Sequence, residues 1–319
     1  MDDVVALGEL LVDFTFAGNS QSGMRLFEQN PGGAPANVLT ALSRLGIKTA
    51  LIGKVGDDMQ GRFLRDALNR DGINTQSLLL DQNYFTTLAF VDIDKDGERS
   101  FSFARKPGAD NMLKKEEIDE RLIRKAKIFH IGALSLTGDP SRAATFEALE
   151  IARKAGCVIS YDPNYRAPLW ESKEAAVKEM RSVLQYVDVV KISDEETDLL
   201  TPEKDPELAG RYLIDHGVKA VFVTLGGNGA CIVNRDGSDY QPAVPGKVID
   251  KNGAGDAFLG GVLYRFCKEE TKIENLSLAQ LSDFASFGNE IASLCIARHG
   301  AIPSMPTLQE VREKLGENF

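Results

Sequence analysis

The chain has 319 residues, ample for one large core or two smaller ones, and its 43% hydrophobic and 26% charged content is that of a soluble globular protein. A net charge of -10 with no block of Lys and Arg argues against a nucleic-acid partner, whose phosphates demand clustered cations, while a nucleotide needs only local donors. No apolar run is long enough to span a bilayer and no basic segment with a long apolar stretch opens the chain, so neither a membrane nor a signal peptide is expected. Cys157, Cys231, Cys267 and Cys295 are far apart and read as buried thiols in a reducing cytoplasm, and His130, His216 and His299 lack the spacing of a zinc site.

In chain order, an apolar run over 4–11 predicts a first buried strand, with Asp13 at or just past its carboxyl end. Open α/β sheets place ligands at such ends, and an Asp there can accept from two neighbouring sugar hydroxyls; a solvent-facing loop Asp is the plain alternative. Residues 14–30 look irregular, with short strands outside the main sheet. Pro31-Gly32-Gly33-Ala34-Pro35-Ala36-Asn37 then opens a helix through Val38, Leu42 and Leu45, with Asn37 in its first turns. A strand over 49–55 and a helix face over 63–68 follow; between them Gly56 and Gly61 have P-loop spacing but lack the Lys and Ser/Thr, which rejects that site. Alternation over 86–93 and 99–104 around Asp94-Lys95-Asp96-Gly97 predicts a β-hairpin carrying Arg105.

From 118 onward the rhythm is regular. Helices are expected over 118–127, 142–155, 173–184 and 207–216, and strands over 128–131, 158–161, 187–192 and 220–225. Such alternation implies right-handed crossovers and a parallel sheet covered by helices. Several strands end in a polar or Gly-rich cluster: Asp162-Pro163-Asn164-Tyr165-Arg166, Ser193-Asp194-Glu195-Glu196 and Gly226-Gly227-Asn228-Gly229. Two short strands near Cys231 and Tyr240, a long helix over 278–298 and a last helix over 307–314 complete the reading.

The stretch 248–267 organises the rest. Val248-Ile249 lead into Gly253-Ala254-Gly255-Asp256, after which Phe258, Leu259, Val262, Leu263 and Phe266 keep helical spacing. A glycine turn feeding a helix offers unpaired N–H groups and roughly half a positive charge to an anion. Asp256 beside those donors can act as a base, a pairing that suits phosphoryl transfer; the plain reading is a glycine turn with Asp256 as a helix cap.

These motifs, in this order, resemble the ribokinase-like (PfkB-type) carbohydrate kinases, and the fructokinases most. Gly32-Gly33-Ala34-Pro35-Ala36-Asn37 matches the amino-terminal signature, Gly253-Ala254-Gly255-Asp256 the carboxyl-terminal one, and the likeness runs from Gly8-Glu9 to Pro303-Ser304. The resemblance implies one α/β domain over 1–319, a three-layer fold with a mostly parallel central sheet covered by helices and a small β-sheet lid from segments 14–30 and 84–105. It implies Asp256 as catalytic base and the N–H groups of Gly253, Ala254, Gly255 and Asp256 as an anion hole. Asp13, Gly33, Asn37, Arg105 and Arg166 would hold the sugar. Lys191, Thr224, Gly226, Gly229 and Asn289 would hold ATP, and Glu196 would act on Mg²⁺ through water. Asp250, Asn252, Cys295, Arg298, Gly300 and Ser304 would surround a monovalent cation, K⁺.

Two departures stand out. Lys251 occupies the place of a threonine, which bears on K⁺ dependence, and Ser193 that of an asparagine. The implied activity is transfer of the ATP γ-phosphate to fructose, giving fructose 6-phosphate. 2-Keto-3-deoxygluconate, ribose or an aminoimidazole riboside are the alternative acceptors. A non-catalytic sugar sensor is the alternative of another class, against which Asp256 and the glycines count. A dinucleotide dehydrogenase lacks its G-x-G-x-x-G after the first strand. A homodimer through the lid is expected.

Overall fold

The computed structural model describes residues 2–93 and 99–316. Its centre is set by short strands buried on both faces. β1 (Val4–Leu7) and β4 (Thr49–Gly56) are buried at every position, as strands of a helix-covered parallel sheet must be. Between them run β2 (Leu11–Asn19), β3 (Arg25–Gly32) and α1 (Ala34–Arg44). Next come α2 (Met59–Arg70), β5 (Leu78–Asp81), β6 (Leu88–Ile93), β7 (Arg99–Ala104), α3 (Glu120–Ile123) and β8 (Ile128–Gly132). Then α4 (Ser141–Ala155), β9 (Val158–Asp162), α5 (Lys173–Ser182), β10 (Val189–Ser193), α6 (Thr197–Leu200), α7 (Pro206–Asp215) and β11 (Ala220–Thr224). The chain ends with β12 (Ala230–Asn234), β13 (Gly237–Gln241), α8 (Ala254–Lys268), α9 (Leu278–Cys295) and α10 (Leu308–Leu315).

The large sheet has the order β13-β12-β11-β10-β9-β8-β1-β4-β5. It is parallel from β11 to β5, and β12 turns antiparallel to β11. Alternate residues of each strand face opposite layers. Val4 and Ala6 pack with Val38 and Leu42 of α1 and with Phe258 and Leu259 of α8. Val5 and Leu7 pack with Leu149 of α4 and Met180 of α5. The result is the helix-covered sheet the alternation implied and the three-layer fold the resemblance implied. Caps fix the helix starts: Asp58 accepts the Gly61 N–H, Ser172 that of Ala175, and Ser277 and Thr307 each form a capping box.

A second sheet of order β3-β2-β6-β7 stands apart from the first. Here the structure departs from the sequence reading. β1 stops at Leu7, and Asp13 lies inside β2, opposite Asn30 of β3 and Ala89 of β6. The break falls at Gly8-Glu9, where the chain leaves one sheet for the other; any Cβ on Gly8 would crowd Pro35 at 2.6 Å. Residues 14–30 form strands outside the main sheet, as expected, but they are not irregular, since they fall mainly in the nine-residue β2 and the eight-residue β3. Phe14, Phe16, Phe27 and Phe90 hold this sheet by ring contacts, Phe14 stacking on Phe90 at 5.3 Å. The hairpin strands over 88–93 and 99–104 pair antiparallel as expected, and their turn at 94–97 lies outside the described residues. The helix expected over 118–127 is reduced to the single turn of α3, whose start Asp119 caps and which a 3-10 turn at Lys115–Glu117 precedes. Only Ile123 of α3 is buried, too little apolar surface to hold a longer helix.

Candidate active site

A cavity of about 950 Å³ opens along the carboxyl edge of the large sheet, between the amino ends of α1 and α8. Ligands of open α/β sheets bind at this edge.

The amino end of α8 is set by Gly253, whose φ of 77° is a left-handed conformation that glycine adopts without a steric penalty. The first N–H groups of a helix have no intrahelical acceptor. The Ala254 N–H folds back weakly on the Lys251 carbonyl at 3.3 Å. A Cβ on Gly255 would stand 2.8 Å from the Lys191 ammonium nitrogen, so only glycine admits the lysine so close.

Asp256 follows, buried in the first turn of α8. Its Oδ2 accepts the Asn37 amide at 2.7 Å and its Oδ1 the Asn164 amide at 3.1 Å. Both carboxylate arms are therefore aimed. Burial pushes the Asp256 carboxyl above the usual aspartate range, against the pull of Lys191 and the Asn37 hydrogen bond. Asn37 is brought there by α1, which starts at the Gly33 N-cap.

Behind the glycine turn, Lys191 of β10 and Asp162 of β9 form a buried ion pair at 2.9 Å. Burial holds Asp162 up at about 6 although Lys191 opposes it, and the neighbouring charges of Glu196 and Asp256 add to the rise. Burial pulls the Lys191 ammonium down, and the carboxylates of Asp162, Glu196 and Asp256 more than restore it. Glu196 accepts the Tyr165 N–H at 2.7 Å through Oε1, and the Ser193 N–H and hydroxyl, both at 2.9 Å, through Oε2. Ser193 therefore caps Glu196 directly.

The other residues expected at the site separate into groups. Asp13, Gly33, Arg166, Lys191, Glu196, Asp250 and Asn252 line the cavity together with 253–256. Arg105 does not line it. Its buried guanidinium is engaged by Asp110 at 2.7 Å, the Thr137 hydroxyl at 2.8 Å and the Leu134 carbonyl at 3.0 Å. Thr224 ends β11 as the register partner of cavity-lining Ser193. Gly226 and Gly229 form the turn after it, both at positive φ, and a Cβ on Gly229 would overlap the Gln241 carbonyl. Asn289 of α9 donates to the Pro242 carbonyl at 2.9 Å, which ties the 242–251 segment to α9. Asp250 accepts the Asn252 N–H at 2.8 Å and the Gly300 N–H at 3.0 Å, joining the two loops expected around a cation. The Ser304 hydroxyl donates to the Gly300 carbonyl at 2.6 Å and lies 3.0 Å from the Cys295 thiol, while Arg298 pairs with Glu310. Among the described residues no group of three or more His, Cys, Asp or Glu side chains forms a metal site.

Sequence reasoning missed Asn164 and Glu9. Asn164 has a φ of 43°, left-handed and tolerated by asparagine, and the Asp-Pro-Asn run at a strand end is the signal that marks it. Glu9 lies in the cavity wall with no motif of its own beyond Gly8-Glu9.

Comparison with known proteins fits this geometry. The model of the pfkB family carbohydrate kinases matches residues 1–308.

The chain belongs to the pfkB family of carbohydrate kinases.

Among the relatives of this pfkB chain, probable fructokinase-7 of Arabidopsis thaliana is 41% identical, over 98% of this chain and 92% of its own. Among solved structures, the fructokinase of Xylella fastidiosa with bound ATP superposes with a TM-score of 0.90 at 32% identity, covering 99% of this chain and 100% of that one. A double mutant of the fructokinase of Vibrio cholerae O395, with fructose, ADP and a potassium ion bound, gives a TM-score of 0.88 at 32% identity, with 98% of each chain covered. The fold of this pfkB member is thus the ribokinase-like α/β fold, and the enzyme class is a sugar kinase.

Proposed function

We propose that the chain is an ATP-dependent fructokinase that transfers the γ-phosphate of ATP to a hydroxyl of fructose, giving fructose 6-phosphate and ADP. The observation that carries this reading is Asp256, fixed by Asn37 and Asn164 at the amino end of a helix inside the cavity. Phosphoryl transfer needs positioning, anion donors and one base. Asp256 takes the proton from the sugar hydroxyl as that oxygen bonds to the γ-phosphorus. The bond to the β-phosphate oxygen breaks, and ADP leaves with the electron pair. The N–H groups of 253–256 and the helix end stabilise the charge on the moving phosphoryl group. Asp13, Gly33, Asn37 and Arg166 hold the sugar; Lys191, Thr224, Gly226, Gly229 and Asn289 serve the nucleotide. Arg105 acts on the sugar end indirectly, by tying the segment after β7 to the 134–137 turn.

Glu196 suits a role on Mg²⁺ through water, because a carboxylate has about four acceptor positions and Glu196 uses three for Tyr165 and Ser193. Bound there, the cation neutralises charge on the nucleotide phosphates. The oxygens of Asp250, Asn252 and Gly300 suit a hard monovalent cation, with Cys295, Arg298 and Ser304 shaping the loop around them. The bound potassium ion of the Vibrio cholerae protein supports K⁺.

The four-stranded sheet, with segments 14–30 and 84–105, serves as a lid of one domain spanning 1–319. Its exposed Leu26, Phe27 and Phe90 support a homodimer formed sheet to sheet. Four buried free thiols support a reducing compartment, the cytoplasm.

Coupled ADP release with ATP, Mg²⁺ and K⁺ across fructose, ribose, 2-keto-3-deoxygluconate and an aminoimidazole riboside tests the acceptor. A kcat/KM for fructose at least tenfold above the others is expected. Preference for another acceptor overturns fructose and leaves the Asp256 chemistry standing.

A further inference from the structure

Glu9 has no part in the transfer step, yet it sits under the sugar end of the cavity. It stands on the connection from β1 to β2 and is only 4% exposed while lining the cavity wall. One carboxyl oxygen, Oε1, accepts the Ala34 N–H at 2.9 Å. The other, Oε2, is sealed from solvent and has no hydrogen-bond partner among the described residues. The main chain adds a second tie, because a Cβ on Gly33 would overlap the Glu9 carbonyl. The turn that opens α1 thus rests on Glu9 by backbone packing and by its side chain. Within the next helical turn, Asn37 donates to Asp256.

The charges acting on Glu9 are Asp110 and Arg105, and these are ion-paired with each other. Residues 34–37 of α1 bring no ionisable group, nor does Gly132, which approaches Oε2 from the end of β8. The cavity lining adds the carboxylates of Asp13, Glu195, Glu196, Asp250 and Asp256 against the cations of Arg166, Lys191 and Lys251, so it is acidic on balance, and Lys191 is already paired with Asp162. A buried carboxylate with one oxygen orphaned and no cation of its own is costly, and the neutral acid avoids most of that cost.

We infer that Glu9 is a positioning residue: as a neutral carboxylic acid it fixes the turn from Gly33 to Asn37, and through Asn37 the direction of the Asp256 carboxylate. Burial, opposed by its backbone hydrogen bonds, pushes the Glu9 carboxyl up to about 7. The acid form therefore prevails below neutrality, and ionisation above it adds an unpaired negative charge to an acidic cavity wall. The inference rests on the sugar-kinase reading for its kinetic consequence, and on this chain's folding for an independent one.

The test compares wild type, Glu9→Gln and Glu9→Ala, with fructose KM, ATP KM and kcat read from pH 6 to 9 and thermal melting read from pH 4 to 9. Wild-type fructose KM is expected to rise about tenfold as the unpaired buried charge loosens the turn from Gly33 to Asn37, with its midpoint near 7. Glu9→Gln, which keeps the acceptor without the ionisation, flattens that rise. Glu9→Ala raises fructose KM about tenfold at pH 6 and leaves ATP KM within about twofold; Glu9→Gln recovers most of the loss. Identical KM–pH profiles for wild type and Glu9→Gln overturn the inference, as does an unchanged fructose KM in Glu9→Ala. If Glu9→Ala does not fold, the Glu9→Gln profile decides. If no sugar is phosphorylated, the function reading fails and melting decides Glu9. The raised carboxyl makes wild type lose stability as pH climbs from 4.5 through about 7, a loss Glu9→Gln should not show. Parallel melting curves then overturn the inference.

Discussion

Replacing Asp256 by Asn removes the proposed base while changing almost no volume. Two amide donors, Asn37 at 2.7 Å and Asn164 at 3.1 Å, now meet one acceptor oxygen and one NH₂ group. One hydrogen bond is lost, about 1 kcal/mol, and is offset in part because a buried carboxylate disappears with it. Stability should therefore shift by no more than about 1 kcal/mol, a melting change of a few degrees at most. Chemistry changes far more. A positioned general base contributes about 10²–10⁴-fold, so kcat should fall by at least about two orders of magnitude. ATP affinity, measured by calorimetry, should stay within about threefold, because the helix-end donors are untouched. Coupled ADP release at saturating fructose and ATP reads the first quantity, and single-turnover mixing assigns the loss to the transfer step. The pH profile supplies a second check. The carboxyl is raised above its ordinary 3.8, and the base works only when ionised. Wild-type kcat/KM should then fall with acidity at a pH above that of an exposed aspartate. A variant retaining more than a tenth of wild-type kcat, or an acid limb centred at or below about 4, would refute the reasoning.

Lys191→Met should cost about 3–5 kcal/mol in urea titration, because it strands Asp162, which is 1% exposed, as an unpaired buried carboxylate. Adding Asp162→Asn should recover most of that loss; a single-variant cost under about 1 kcal/mol would mean the pair does not hold the site. Light scattering should give twice 34.8 kDa at working concentration, and Phe27→Asp should lower it to one chain. A wild-type mass of 34.8 kDa would exclude the sheet-to-sheet dimer.

Much of the scaffold was legible because buried strands write themselves as unbroken apolar runs. The strand over 49–55 and the one over 128–131 were placed within a residue of β4 and β8. The glycine turn before α8 was legible for a different reason: Gly-Ala-Gly followed by helical apolar spacing has few other uses. What stayed hidden depends on long-range pairing. Asn37 and Asp256 are 219 positions apart, and only the crossing of α1 against α8 brings them together. The fate of Arg105 turned on Asp110 and Thr137, partners that local patterning cannot assign. Asp13 was misplaced because the apolar run over 4–11 conceals a change of sheet at Gly8-Glu9, and periodicity does not register which sheet a strand joins.

That change of sheet has a consequence for selectivity. Asp13 rides on β2 of the small sheet, whereas Asp256 and Asn37 belong to helices packed on the large one. A sugar that touches both is a strap between two bodies, and its hydroxyl pattern decides whether the strap holds. On the proposed role of Asp13, an acceptor lacking the matching hydroxyl contacts only the groups carried by the large sheet. With Asp13 holding the sugar as proposed, discrimination between sugars acts on the geometry of transfer as well as on occupancy.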